Sequence, residues 1–223
     1  MNADWRHPAL CNWFAGLFAV ELTQEQLLAY QRGEGDAVLS SLAELPGLAS
    51  AVQRLRNAFT GLTLLSHPRL ELAADFAAMF LMDGQNSAPP YASFYSSEGN
   101  RFFAEPQERM QERLAASQQE VSADFQEPSD HLSVMLEYLG EGFDAFLNKA
   151  EKPESGPTLD QIKAFIEEEL LNWLPAFAAR CEKVSTVSDL YPALAVLLLE
   201  FLKGLPALDE TPINIAEKAV SGR

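Results

Sequence analysis

Residues 127–147 read Glu-Pro-Ser-Asp-His-Leu-Ser-Val-Met-Leu-Glu-Tyr-Leu-Gly-Glu-Gly-Phe-Asp-Ala-Phe-Leu. Leu132, Met135, Leu136, Leu139, Phe143, Phe146 and Leu147 recur at three- and four-residue intervals, the spacing that lines one face of an α-helix. Ser129 is suited to an N-cap, with Asp130 in the positive first turn behind it. Pro128 pushes Glu127 out of the helical region, so the segment upstream must stop here.

The same periodicity recurs in both directions, and strand-like alternation never persists. Toward the N-terminus, Leu10, Trp13, Phe14, Leu17 and Phe18 lie on one helix face. No small-x-small cleavage site follows them, so Pro8–Val20 is expected to be a core helix and not an export signal. Thr23 with Gln26 forms a capping-box pattern for a short helix that Gly33 and Gly35 end. Leu48, Val52, Leu55, Phe59 and Leu62 mark the next one. Pro68 starts a helix to about Gly84, apolar nearly all round and so expected at the centre of a bundle. From Gly84 to Asn100 the pattern breaks, yet Tyr91, Phe94 and Tyr95 crowd into this loop. A polar, acid-rich helix is expected from about Glu105 to Asp124. Beyond residue 147, a linker-like stretch precedes a second capping box, Thr158 with Gln161, and a helix that Pro175 should interrupt. The last helix runs from about Asp189 to Lys203.

The fold class expected is all-α: a helical bundle, with lobes 1–126 and 127–223 joined by a hinge near 125–130. If that hinge straightens, each lobe can dock on its counterpart in another chain, a domain-swapped homodimer.

The chain has 223 residues, 48% hydrophobic and 22% charged, a globular composition. Its 32 acidic residues against 16 basic ones leave a net charge of −16, with the excess in both halves. Such a surface repels a phosphate backbone, so nucleic acid is excluded as a partner and a basic ligand is favoured. Two cysteines, Cys11 and Cys181, are too few for a disulfide framework and fit a reducing compartment. The longest uninterrupted apolar run, Tyr191–Leu199, is far shorter than the ~20 residues that span a bilayer. A cytoplasmic protein without stable membrane insertion is expected.

Catalytic signatures are missing: there is no phosphate-binding Gly-Lys pair, no Gly-x-Gly-x-x-Gly, no His-Glu-x-x-His and no Gly-x-Ser-x-Gly. Both thiols sit in or beside amphipathic helices, the setting of inert cysteines. Acids and an imidazole crowd together at Glu127, Asp130 and His131. This cluster is either a carboxylate-oriented general base or simply the start of a helix, and a metal would need more ligands than the neighbourhood offers.

Three elements in order carry a resemblance. They are Asp75-Phe76 through Phe80-Leu81; the loop Pro89-Pro90-Tyr91-Ala92-Ser93-Phe94-Tyr95; and Glu127-Pro128-Ser129-Asp130-His131-Leu132 followed by Leu136-Glu137. Together they resemble the signatures of the TorD/DmsD family of redox-enzyme maturation chaperones, and Glu-Pro-x-Asp-His-Leu most resembles its TorD branch. Met79 stands where the family pattern has Leu, a swap of similar volume.

The resemblance implies an all-helical cytoplasmic chaperone that is not an enzyme and needs no cofactor of its own. Its client would be a molybdoenzyme apoprotein, for this branch trimethylamine N-oxide reductase, engaged together with its twin-arginine signal peptide. Guanine-nucleotide binding, proposed for some members, has no support in these residues.

A basic segment joined to an apolar helix calls for acids beside an apolar groove. Tyr91, Ser93, Phe94, Tyr95, Glu127, Pro128, Asp130 and His131 are therefore the expected client-binding residues, with Glu137 a further acid for the arginines. The rings either wall such a groove or fold back to plug the core. The competing function is a generic acidic helical interaction module with another client.

Overall fold

The computed structural model describes residue 4 and residues 6–82, 86–96, 105–119, 125–148 and 156–209. Within these residues the chain forms eleven α-helical segments, two π-helical segments and one 3-10 turn; no extended strand is present, only an isolated bridge.

Helix α1 (Arg6–Ala19) buries Leu10, Cys11, Phe14, Leu17 and Phe18, the face its periodicity marked out. It lies along the strongly patterned helix near the sequence centre, α8 (Leu132–Leu147), in the most extensive helix pair of the fold. The two approach closely at Gly140, where a Cβ would stand 3.3 Å from the Cys11 Cβ and 2.6 Å from the Asn12 side-chain oxygen. Glycine is required there for room, since helix separation follows side-chain size at the crossing.

Helix α2 (Gln24–Gln31) has both halves of its capping box formed between Thr23 and Gln26. Gly33, at φ +86°, makes the turn into α3 (Asp36–Ala43), a helix that periodicity did not reveal because eight residues give only Leu39 and Leu42 an inward position. Helix α4 (Ala49–Leu62) presents Val52, Leu55, Phe59 and Leu62 inward.

Helix α5 (Pro68–Phe76) continues into a π-helical segment, Ala77–Leu81, in place of the single helix to Gly84; residues 83–85 lie outside the described set. It is less central than its composition implied. Leu72, Asp75, Phe76, Met79 and Phe80 are buried, but Leu70 and Leu81 face solvent. The buried Asp75 carboxylate accepts hydrogen bonds from the Val187 and Ser188 amides and the Ser188 hydroxyl, at 2.7 to 2.8 Å. A buried charge persists only when so satisfied, and here it orders the turn that opens the final helix.

The aromatic loop contains one helical turn, α6 (Ala92–Tyr95). Helix α7 (Glu105–Ser117) buries only Pro106 and Met110. The remainder of its expected extent, 120–124, falls among residues not described. Helix α9 (Leu159–Phe165) starts at the Thr158–Gln161 capping box and passes into a second π-helical segment, Ile166–Leu170. The interruption assigned to Pro175 is real. The chain leaves helical geometry at Trp173, and α10 (Leu174–Cys181) restarts with the proline in its first turn, where no N–H is needed.

Helix α11 (Leu190–Gly204) packs on α4 and α10 and is buried on nearly every face. With the 3-10 turn after it, Leu190–Ala207 is apolar and long enough by composition to cross a membrane, but most of that stretch is buried inside the protein, the signature of a core helix. Phe18, Phe76, Phe80, Phe177 and Tyr191 meet edge-on or stacked between ring centroids 5.1 to 6.2 Å apart, joining α1, α5, α10 and α11. Each such pair contributes about 0.5–1.5 kcal/mol beyond its burial.

Candidate functional site

The two motifs that carry the family resemblance, nearly forty residues apart in the chain, are folded onto each other. Tyr91 and His131 form an antiparallel bridge. Around it the Ala92 amide donates to the Asp130 carbonyl (3.1 Å) and the Leu132 amide to the Pro90 carbonyl (2.8 Å).

Asp130 adds a side-chain tie. Its Oδ2 accepts from the Ser93 amide at 2.8 Å, so the carboxylate caps α6 across the chain. It does not serve its own helix, as its position in sequence implied. The N-cap of α8 is likewise not Ser129 but His131, whose Nδ1 accepts from the Ser133 amide at 3.1 Å. The reason is the turn. The His131 amide donates back to the Pro128 carbonyl (2.9 Å), which draws Ser129 away, and the Ser129 hydroxyl donates instead to the Gln107 carbonyl of α7 at 3.0 Å. One turn, Pro128–His131, thus holds α6, α7 and α8 together.

These bonds decide which predicted side chains face outward. Asp130 and His131 are buried. Burial alone pulls the His131 imidazole down to about 4, so it is neutral at physiological pH and its accepting nitrogen is free of a proton. The general-base reading of the cluster loses its geometry, because Asp130 is directed to Ser93 and Nδ1 of His131 to Ser133. Glu127 remains exposed, receiving the Tyr91 hydroxyl at 2.6 Å. Burial, with the Glu127 charge beside it, raises the Tyr91 phenol, which keeps the proton it donates. The Tyr91 and Phe125 rings both stand edge-on to His131, at 5.0 and 5.3 Å. Tyr91, Phe125 and the buried imidazole form a small aromatic cluster with the Glu127 carboxylate at its edge; Phe125 carried no signal in the sequence beyond being aromatic.

The other half of the predicted set points elsewhere. Phe94 lies under the Arg180 guanidinium, 5.0 Å from ring centroid to carbon, and Tyr95 stacks on Trp173 at 5.4 Å and meets Phe177 edge-on. Tyr95 is thus folded back onto the core, the alternative that the sequence left open for each ring, while Tyr91 packs on His131. Ser93 contributes its backbone, not its hydroxyl, to the Asp130 contact. Pro128 supplies the turn carbonyl. Glu137 stands apart from this cluster, in a depression of about 360 Å³ between α1, α7 and α8 shared with Glu141 and Tyr138. Burial and the neighbouring Glu141 raise its carboxyl.

Cys11 and Cys181 are both fully buried, with thiols pushed far up by desolvation, so neither is a nucleophile. Among the described residues no three His, Cys, Asp or Glu side chains converge as metal ligands would.

The polar centre of this helical body is spent on joining three helices. Residues 43–179 match the family model described as nitrate reductase delta subunit. A chain described as a redox enzyme maturation protein from Archaeoglobus fulgidus shares the fold, with a TM-score of 0.50 at 17% identity over 91% of this chain and 96% of that one.

Closer in sequence are proteins named Chaperone protein TorD. The one from Psychrobacter sp. is 38% identical over 208 residues, 90% of each chain, and that from Ferrimonas balearica is 36% identical over 209 residues, 94% of this chain and 90% of its own. The chain belongs to the TorD family of chaperones, a maturation role without catalytic turnover.

Proposed function

We propose that this chain is a cytoplasmic, system-specific chaperone. It binds the apoprotein of a molybdoenzyme, trimethylamine N-oxide reductase in this reading, and the twin-arginine signal peptide of that precursor. It keeps the precursor competent for molybdenum-cofactor insertion before export.

The observation that carries the reading is the bridged pair of motifs at Tyr91 and His131, which presents Glu127 beside aromatic surface on a chain of net charge −16. An arginine guanidinium finds there a carboxylate for charge-assisted hydrogen bonds and an aromatic ring to lie against. Tyr91 already holds Glu127 in place, so less side-chain freedom is lost on binding. The overall negative field steers a basic segment toward the surface. His131, Asp130, Ser93 and Pro128 shape this surface, and Glu127 makes the ionic contact.

Isothermal titration with the client's twin-arginine peptide tests the reading. Binding should be lost when both arginines become Gln, and Glu127→Gln should weaken it about tenfold, the loss of one charge-assisted bond. Equal binding of the native and Gln-substituted peptides would refute it. Co-purification of an apoenzyme still lacking its cofactor tests the client.

A further inference from the structure

Helix α7 is seated by charge more than by apolar packing. Its 13 residues bury Pro106 and Met110, whereas α4, with 14, buries six side chains. Glu105, Glu108 and Glu112 face solvent, and the two arginines, Arg109 and Arg113, turn inward to one carboxylate, Glu169, on the π-helical segment Ile166–Leu170. Arg109 Nε donates to it at 3.1 Å and Arg113 Nη2 at 3.0 Å. Glu169 is only 5% exposed, and the Trp173 indole fixes its backbone by donating to its carbonyl at 2.9 Å.

Aromatic surface continues from this carboxylate. The Arg113 guanidinium covers the Phe165 ring at 5.5 Å, and Phe165 packs on Tyr138 of α8 with centroids 4.9 Å apart. Tyr138 opens in turn onto the depression that Leu114 and Gln119, at the end of α7, share with Glu137 and Glu141. Those two glutamates stand one helical turn apart, and a cation brought between them relieves their repulsion. A buried carboxylate, a ring beneath a guanidinium and two further acids beyond it make a seat for a basic amphipathic helix. Helix α7 fills it with two guanidiniums beside the apolar Met110 and Leu114. A twin-arginine segment, arginines joined to an apolar helix, offers the same chemistry.

We propose that α7 is an autoinhibitory occupant of this seat, and that the twin-arginine segment of the client displaces it, its guanidiniums replacing Arg109 and Arg113 at Glu169. The proposal rests on the signal-peptide reading for the identity of the displacing partner; it adds where that partner is seated and what keeps the seat closed. Helix α7 is coupled to the surface around Glu127, because the Ser129 hydroxyl of the same turn donates to the Gln107 carbonyl. Glu127 gives the first, exposed contact, and Glu169 becomes reachable as α7 lifts. With both arginine side chains about a third exposed and little apolar area buried, α7 belongs to the low end of local stability, where a competing ligand can displace it.

Hydrogen exchange of the unaltered protein, with and without saturating twin-arginine peptide, reads the displacement. Amides across α7 should lose protection on binding while those of α8 and α11 keep theirs. Isothermal titration into the double variant Arg109→Gln, Arg113→Gln should show the peptide bound about tenfold more tightly than by the unaltered protein, as when a competing state is depopulated. Adding Glu169→Gln should cancel that gain. Circular dichroism verifies the fold of each variant, and if the double variant does not fold, the exchange measurement on the unaltered protein decides alone.

Peptide binding that leaves α7 fully protected overturns the proposal and leaves the signal-peptide reading standing, and so does equal affinity for the unaltered protein and the folded double variant. Binding by the double variant alone supports the proposal. If neither protein binds the peptide, the signal-peptide reading falls and this proposal with it.

Discussion

A histidine that caps a helix must stay neutral, because the nitrogen that receives the backbone amide cannot also hold a proton. His131 meets that condition through burial, which takes its imidazole from an ordinary 6.5 to about 4. As pH falls below 6.5 the unfolded chain takes up a proton that the folded chain refuses. Stability therefore declines between about pH 6.5 and 4, by up to ~1.4 kcal/mol per pH unit for this one group. His131→Asn keeps an oxygen to accept from Ser133 and removes the titration. Urea unfolding across that pH range should show a shallower slope for the variant; an identical slope would place the effect elsewhere. Some slope persists, since buried His7 is shifted down for the same reason. Asp130→Ala is the complementary change. It leaves the buried Ser93 amide without its acceptor and should cost about 2 kcal/mol, as an orphaned buried donor does. Its readout is the denaturation midpoint, and a loss under half that size would mean the amide finds another partner.

Among the elements, α7 is held differently from the rest. Its buried apolar side chains are only Pro106 and Met110, with Leu114 partly buried, and beside the Ser129–Gln107 bond its attachment is ionic: Arg109 and Arg113 both reach Glu169, at 3.1 and 3.0 Å, on the π-helical segment before α10. Glu169 is buried among the helices it joins, and the Arg113 guanidinium also covers Phe165 at 5.5 Å. The wider turn of the π segment is what sets this carboxylate inward; such segments recur where a helix departs from simple packing. Glu169→Gln keeps the volume and removes the charge. Breaking a fully buried pair costs ~3–5 kcal/mol, and with both arginines partly exposed about 2 kcal/mol is expected. Hydrogen exchange should accelerate across α7 while α8 and α11 stay protected, and uniform acceleration would show that α7 is not a separable unit.

For the whole molecule, the contact of α1 with α8 joins the first residues of the chain to its centre, and Gly140 sets how close they lie. Gly140→Leu should cost about 1–3 kcal/mol by overpacking, as read by thermal unfolding, whereas Gly140→Ala, which displaces the Asn12 amide and crowds the Cys11 Cβ at 3.3 Å, should cost less than Gly140→Leu but be measurable. The proposed hinge at 125–130 makes the same contact available in trans, with α1 of one chain on α8 of another. Refolding at high concentration followed by light scattering should reveal a dimer that shorter exposure to dilute conditions does not dissolve; monomer alone at every concentration removes the domain-swap proposal.

Periodicity alone determined the all-helical class, the inward faces of α1, α4, α8 and α11, both capping boxes and the break at Pro175, because each depends on neighbours within a turn of the chain. The short α3 escaped, with two inward side chains too few to make a pattern, and so did the two π segments, which differ from α-helix by one hydrogen-bond step that composition does not encode. At the site, the sequence marked residues that the fold brings together only in part, and it assigned several of their duties by proximity in the chain. Asp130 looked like part of its own helix start and instead caps α6. Tyr91 and Tyr95, four residues apart, meet the Glu127 carboxylate and the Trp173 ring respectively. Those assignments belong to tertiary structure, since a buried carboxylate or phenol is directed by whichever donor or cavity the fold brings beside it, and that partner lies dozens of residues away.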